Sequence, residues 1–282
     1  YAINDFLAQG WDGSNNEIDL VTKTVEPRGD EKELAEITDL IGSYTTNFAS
    51  SSAGRAKNVI TGVSKVDGTI LYPGEEFDLA KTVSPFTQEN GYELAGAYQN
   101  GTVVESFGGG ICQVATTLYN AVIRAELEIT MRFNHSMLVH YVEPSMDAAI
   151  AGNYKDLKFK NNLDAPVYIE GYCSGGIIYF NVYGKETRPS NREISFESET
   201  VSKTDPKVQF TMDASLTAGS VSVTQSGQSG CIAQLWKIVK VDGKQQSRDL
   251  FNKSNYQATP KLITIGTKDA TSETLSALKA AI

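Results

Sequence analysis

Three consecutive glycines, Gly108-Gly109-Gly110, interrupt the chain in "SFGGGICQVATTLYNAV" and are followed at once by Ile111, Cys112 and a helical pattern. Such a run makes a sharp turn and lets a neighbouring backbone or a ligand come close. After it, Val114, Leu118 and Val122, with Ala115 and Ile123 beside them, recur at i, i+4 and i+8, which predicts a helix from about Cys112 to Glu126. The turn therefore delivers a thiol to a helix N-terminus. There the helix dipole favours thiolate over thiol, and amides around Gly110 and Cys112 are available to an oxyanion. The competing reading is a small side chain buried at a tight turn.

The flanking pattern predicts an α+β chain. A short helix is expected over about Glu31 to Ile41, with Leu34, Ile37, Leu40 and Ile41 on one side, and then a loop or edge strand in "GSYTTNFASSSAGR". "NVITGVSKVDGTILYPG" reads as helix or strand, an Asp67-Gly68 turn, and a strand ending at Pro73-Gly74. "ITMRFNHSMLVHYV" alternates like a strand, which would set His135, Met137, Val139 and Tyr141 on one face and Asn134, Ser136 and His140 on the other. "LKFKNNLDAPVYIEGYCSGGIIYFNVYG" is a hairpin turning at Ser174-Gly175-Gly176; its tyrosines read as sheet surface and core. From Glu186 to about Lys268, short β-prone runs and Ser/Thr/Gly turns predict a separate all-β module, and "DATSETLSALKAAI" is a terminal helix or a frayed tail.

Composition narrows the chemistry. A net charge of −9 argues against nucleic-acid or anionic-membrane partners, which select basic surface. Three well-separated cysteines without a C-x-x-C pair do not suit a structural zinc site, and an odd number excludes a fully paired disulfide framework. A Cys112–Cys173 bridge plus one free thiol is compatible if the two Cα atoms lie within about 7 Å. No metal or other cofactor is expected. The opening "YAINDFLAQGWDG" starts in mid-pattern, so any targeting segment or membrane anchor is expected to lie outside these residues.

A thiol nucleophile needs an imidazole, and the imidazole needs an orienting carboxylate or amide. His135 returns after the helix and Asp147 follows the Pro144 turn, so Cys112, His135 and Asp147 form the candidate catalytic set; Asn134 and Glu143 are further candidates for the orienting role. His140 falls on the other strand face. Gly108, Gly109, Gly110, Gln113, Thr116 and Tyr119 are candidates for lining a ligand site, although helix threonines also bond back to preceding carbonyls.

"YPGEEFDL", "GGGICQVATTLYNAVIRAELEI", "RFNHSMLVHYVEPSMDAAI" and "DLKFKNNLDAPVYIEGY" together resemble the VanW-like family of Gram-positive bacteria. The resemblance places a VanW-like domain at 58–185, preceded over 1–57 by the end of the peptidoglycan-binding region that often accompanies it. The module at 186–268 resembles the five-glycine extracellular domain, with Gly219, Gly227, Gly230, Gly243 and Gly266 and the closing strand "LITIGTK"; 269–282 is a tail. The family pattern covers Gly108 to Gly110, Cys112, Gln113, Thr116, Thr117, Asn120, His135, Ser136 and Asp147. The resemblance implies an extracellular or cell-surface protein associated with peptidoglycan or another wall glycan. Two functions are compatible with that: binding of wall material, or cysteine-dependent hydrolysis or transpeptidation of wall peptide or amide bonds.

Overall fold

The computed structural model describes residues 29–99, 102–152 and 154–282. The peptidoglycan-binding region expected at 1–57 therefore lies outside the described residues up to residue 28. The first half of the chain contains α1 (Glu31–Leu34), β1 (Asp39–Asn47), α2 (Ala53–Val66), β2 (Thr69–Leu71), β3 (Glu76–Asp78), α3 (Leu79–Val83), β4 (Leu94–Gln99), β5 (Thr102–Phe107) and α4 (Ile111–Arg124). It closes with β6 (Glu128–Met131), β7 (Lys158–Lys160), β8 (Val167–Ser174) and β9 (Ile177–Gly184). The β module holds β10 (Arg192–Thr204), β11 (Val208–Thr217), β12 (Val221–Gln228), β13 (Gly230–Val241), β14 (Lys244–Tyr256) and β15 (Thr259–Lys268), and α5 (Ser272–Ala281) ends the chain.

An antiparallel sheet in the order β1-β9-β8-β2 is the floor of the first domain. Period-two alternation gives it one apolar face, where Val167, Ile169, Ile178, Phe180 and Val182 are fully buried in one core with Val59 and Val63 of α2 and Val114, Leu118 and Val122 of α4. The opposite face carries Tyr168, Tyr172, Tyr179 and Tyr183, with Tyr172 stacked on Tyr179 at 4.7 Å. Apart from Cys112 and Arg124, every residue of α4 is buried. Gly42 makes part of this possible: a Cβ there would stand 2.5 Å from the backbone of Ala121 and Ala125, so strand and helix pack with nothing between them.

Two expectations are corrected. The helix expected from Glu31 to Ile41 stops at Leu34, and Leu40 and Ile41 belong to β1, because Ile41 gains more as a buried sheet residue than on an exposed helix. Among the described residues β1 is an edge strand, so the loop-or-strand segment is strand up to Asn47, then a turn, then the start of α2 at Ala53. The strand expected through "ITMRFNHSMLVHYV" ends at Met131. Beyond it the backbone folds around a buried carboxylate: the His135 amide donates to Asp147 Oδ2 at 2.7 Å instead of to a neighbouring strand.

The β module is all-β, with sheets β10-β13-β14 and β11-β15-β12, the β11–β15 pairing being parallel. Gly266 lies where a Cβ would meet the Thr217 carbonyl at 2.1 Å, so the chain crosses there only without a side chain. The terminal residues form a helix capped by Thr271. The module docks on the first domain with Leu235 buried in the main core beside Phe196 and Phe251. Glu126, in the left-handed region at φ 58° just past α4, accepts two hydrogen bonds from Arg192 (2.6 and 2.8 Å) and one from Lys237.

Candidate active site

The polar residues of α4 at i, i+4 and i+8 set the site. The Cys112 thiol donates to the Ile150 carbonyl at 3.4 Å and faces the Ile150 amide at 3.5 Å. Thr116 Oγ1 donates to the Ala148 carbonyl and accepts from its amide (3.1 and 3.0 Å). Asn120 Nδ2 donates to the Met146 carbonyl at 2.7 Å. Four helical residues rise about 6 Å and two extended residues about 6.6 Å, so the two periods match and 146–150 runs antiparallel along the helix. Even-numbered residues of that segment face the helix. Alternation turns Asp147 away from it, towards His135.

Asp147 is fully buried and its carboxylate takes four hydrogen bonds. Oδ2 accepts from the His135 amide and faces His135 Nδ1, both at 2.7 Å; Oδ1 accepts from Arg132 Nη2 at 2.9 Å and from the Tyr256 hydroxyl at 2.5 Å. With Nδ1 engaged by Asp147, Nε2 is the ring nitrogen left free to act on the Cys112 thiol. Asp147 thus contacts His135 directly, and His135 is the group whose charge acts on the Cys112 thiol.

Their titration follows from these contacts. Burial pushes the Cys112 thiol up, but the hydrogen bond and positive charge of His135 outweigh it and hold the thiol below its ordinary value. Burial pulls the His135 imidazole down, yet Asp147 and Cys112 raise it to about 9. Burial raises Asp147, and His135 and Arg132 bring it below the usual carboxylate value. The other two thiols behave oppositely: burial alone lifts Cys173 to about 11, and burial also raises Cys231. All three cysteines are free, so the Cys112–Cys173 bridge is not formed.

The remaining expected residues have internal partners. Gln113, 1% exposed, donates to Thr46 and the Asn47 carbonyl and accepts from Arg55, tying α4 to β1 and α2. Thr116 is the bridge to Ala148. Tyr119 accepts from Asn252 of the β module and lines a cavity of about 400 Å³ with Arg132, Phe251 and Asn252. A Cβ on Gly109 would meet the Ala95 carbonyl at 2.7 Å, and on Gly108 the Phe86 ring at 2.8 Å; Gly110 has φ 112°. The glycine turn is thus packed against β4 and Phe86. Among the described residues the Ile111 and Gln113 amides are bonded to Gly108 and Gly110, while the Cys112 amide has no partner. Asn134 touches the His135 carbonyl rather than its ring, and His140 is exposed.

Sequence reasoning missed Arg132, Tyr141 and Tyr256. Arg132 Nε donates to the Asp147 carbonyl at 2.7 Å, and the guanidinium lies over the Tyr119 ring. Tyr141 stands edge-on to His135 with ring centroids 6.5 Å apart. Arg132 lies in the quoted run "RFNHSMLVHYV", where its charge next to a candidate histidine was an available signal. Tyr256, 109 residues beyond Asp147, left none.

Residues 54–183 match the family described as VanW like protein, and residues 196–268 match the G5 domain. The chain is 33% identical over 182 residues to the uncharacterized protein YoaR of Bacillus subtilis (strain 168), covering 64% of this chain and 60% of that protein. It is 26% identical over 118 residues to the vancomycin B-type resistance protein VanW of Enterococcus faecalis (strain ATCC 700802 / V583), covering 40% and 42%. The chain thus spans less than two thirds of either relative. Among solved structures, an IgA1 protease G5 domain is 26% identical over 28% of this chain and 94% of its own, with a TM-score of 0.21.

Proposed function

We propose that this chain, a VanW-like domain followed by a G5 domain, works at the cell wall as a cysteine-dependent hydrolase or transpeptidase of peptide or amide bonds. The two domain types are consistent with a wall-associated protein. Among the described residues no helix is long and apolar enough to cross a membrane. The observation that carries the reading is the thiol of Cys112 at the start of α4, which alone of the three is held below its ordinary value, by a His135 that Asp147 grips at 2.7 Å.

In this reading the Cys112 thiolate attacks the amide carbon, and the carbonyl π pair moves onto oxygen. The Cys112 amide at the helix N-terminus, without a backbone acceptor among the described residues, is the donor offered to that developing charge in this reading. As the intermediate collapses, the C–N bond breaks and protonated His135 gives its Nε2 proton to the departing amine, leaving a thioester on Cys112. His135 then takes a proton from water, or from a second amine, as that oxygen or nitrogen bonds to the thioester carbon; the C–S bond breaks, the Cys112 thiolate is restored, and the product is the acid or the new amide. Asp147 holds the Nδ1–H and offsets the imidazolium charge throughout.

The test is alkylation of the full chain across pH, quantified separately at Cys112, Cys173 and Cys231, beside His135→Ala, together with mass spectrometry after exposure to muropeptides. Cys112 is expected to react fastest at neutral pH, to slow at least about tenfold in His135→Ala, and to carry a thioester adduct. Equal, slow reaction at all three thiols would overturn the reading. Retention on purified peptidoglycan would then favour a wall-binding protein without catalysis.

A further inference from the structure

We infer that the candidate site is built from both domains: Tyr256 and Ser254, at the C-terminal end of β14, are positioning residues that clamp the Asp147 carboxylate for His135, Tyr256 directly and Ser254 through Arg132. This rests on the reading of Cys112 as the nucleophile.

Both oxygens of Asp147 are held from the 132–135 segment, and Oδ1 is held in addition from the β module. Oδ2 belongs to His135, whose amide and ring both use it. Oδ1 belongs to Arg132 and to the Tyr256 hydroxyl, and that hydroxyl also accepts from the Ser145 amide at 2.7 Å. Ser254 Oγ accepts from Arg132 Nη1 at 2.9 Å and pairs with the Ser145 hydroxyl at 2.7 Å. Tyr256 and Ser254 are each 3% exposed, Asp147 is fully buried, and the Arg132 side chain is 7% exposed. Buried polar groups with every partner in place are rigid, so the clamp fixes the plane of the carboxylate and with it the tilt of the imidazole.

The backbone seals the same contact. Gln257 donates its amide to the Ser136 carbonyl at 2.7 Å, Asn134 Nδ2 donates to the Asn255 carbonyl at 3.0 Å, and Gln228 Nε2 donates to the Leu138 carbonyl at 3.1 Å. Ser145, at φ 69°, holds a left-handed backbone that serine seldom adopts; its amide and carbonyl are both bonded to the module, through Tyr256 and Asn252. The irregular 132–147 segment, which has no strand partner among the described residues, is thus held in shape by β14, by Gln257 just after it and by Gln228 at the end of β12. The G5 domain is a wall of the site as well as an appendage to it.

The titratable and charged groups around the carboxylate are Cys112, Tyr119, Arg132, His135, Tyr141 and Tyr256. The test compares the full-length wild type with Tyr256→Phe, which keeps the ring, and Ser254→Ala, a smaller deletion acting from the Arg132 side. Two readouts are taken: the pH profile of Cys112 alkylation, and the pH titration of His135 by NMR. Both variants are expected to stay folded, to lower Cys112 alkylation at pH 7 by about fivefold, and to move the His135 titration to lower pH. Tyr256→Phe removes a donor from Asp147 Oδ1 and Ser254→Ala removes the acceptor that holds Arg132 Nη1, so in both the carboxylate is freer to leave the plane that suits the imidazolium. Unchanged profiles in both variants overturn the clamp while leaving the nucleophile reading intact. A wild-type Cys112 no faster than Cys173 overturns the nucleophile reading, and the His135 titration then still decides whether the module positions the histidine. Unfolding of Tyr256→Phe leaves the decision to Ser254→Ala.

Discussion

His135 meets Asp147 twice through one oxygen: its backbone amide and its Nδ1 both lie 2.7 Å from Oδ2. A ring held only by its own Nδ1 could swing about the carboxylate; a residue held at both backbone and ring cannot. The double contact fixes the tautomer with the proton on Nδ1 and keeps Nε2 on the Cys112 side. It also explains why the chain leaves strand geometry after Met131.

Asp147→Asn removes the anion but keeps the shape. His135 is expected to titrate well below about 9, and turnover or thioester formation to fall by about a hundredfold. Arg132 loses its charged partner in a buried setting, so the variant should also lose ~3 kcal/mol of stability. Alkylation profiles and urea unfolding measure the two effects separately.

The pH dependence has a definite sign. His135 is raised from 6.5 to about 9, so its contribution to stability is complete below pH 6.5 and is lost as pH rises through about 9. Asp147 is lowered, so its contribution is complete above its unfolded value of 3.8 and is lost as pH falls through the folded value. The difference in Tm between wild type and His135→Asn should therefore shrink as pH rises through about 9. Activity, if it follows the thiolate–imidazolium pair, should fall on its alkaline side over the same range.

Glu126→Gln tests the joint between the domains. Its carboxyl is held down to about 2; burial opposes this, and bonds from Arg192 and Lys237 outweigh it. The side chain is 17% exposed, so the loss is expected below that of a fully buried pair, ~1–2 kcal/mol. Scanning calorimetry should show the drop at neutral pH and a smaller one below pH 4.

Gly109→Ala places a methyl group against the carbonyls of Ala95 and Gly96, at 2.7 and 2.9 Å, and backbone there has no room to yield. A cost of ~1–3 kcal/mol is expected. A substitution at Gly68, whose surroundings are open, should not clash, although its φ of 80° adds backbone strain. Thermal unfolding of the two variants tells packing from strain.

Much of this molecule was legible before any coordinates. Gly108 to Gly110 announced a turn, the Val114–Leu118–Val122 spacing announced the helix after it, and Gly175-Gly176 announced the hairpin. These are local matters: Cβ sterics and side-chain period act between near neighbours, so the sequence carries them openly. The candidate set of Cys112, His135 and Asp147 was also readable, from residue type and from the family pattern.

Their assembly was not. "RFNHSMLVHYV" alternates like a strand, but a buried carboxylate offered its backbone a better partner than a neighbouring strand did, and His135 turned inward. Tyr256 and Ser254 bear no local mark, since serine and tyrosine are ordinary in an antiparallel strand. Their role exists only because two domains pack so that a hydroxyl 109 residues away fills the last position on Asp147. Local sterics are written in the order of residues; a buried hydrogen bond between distant segments is decided by packing.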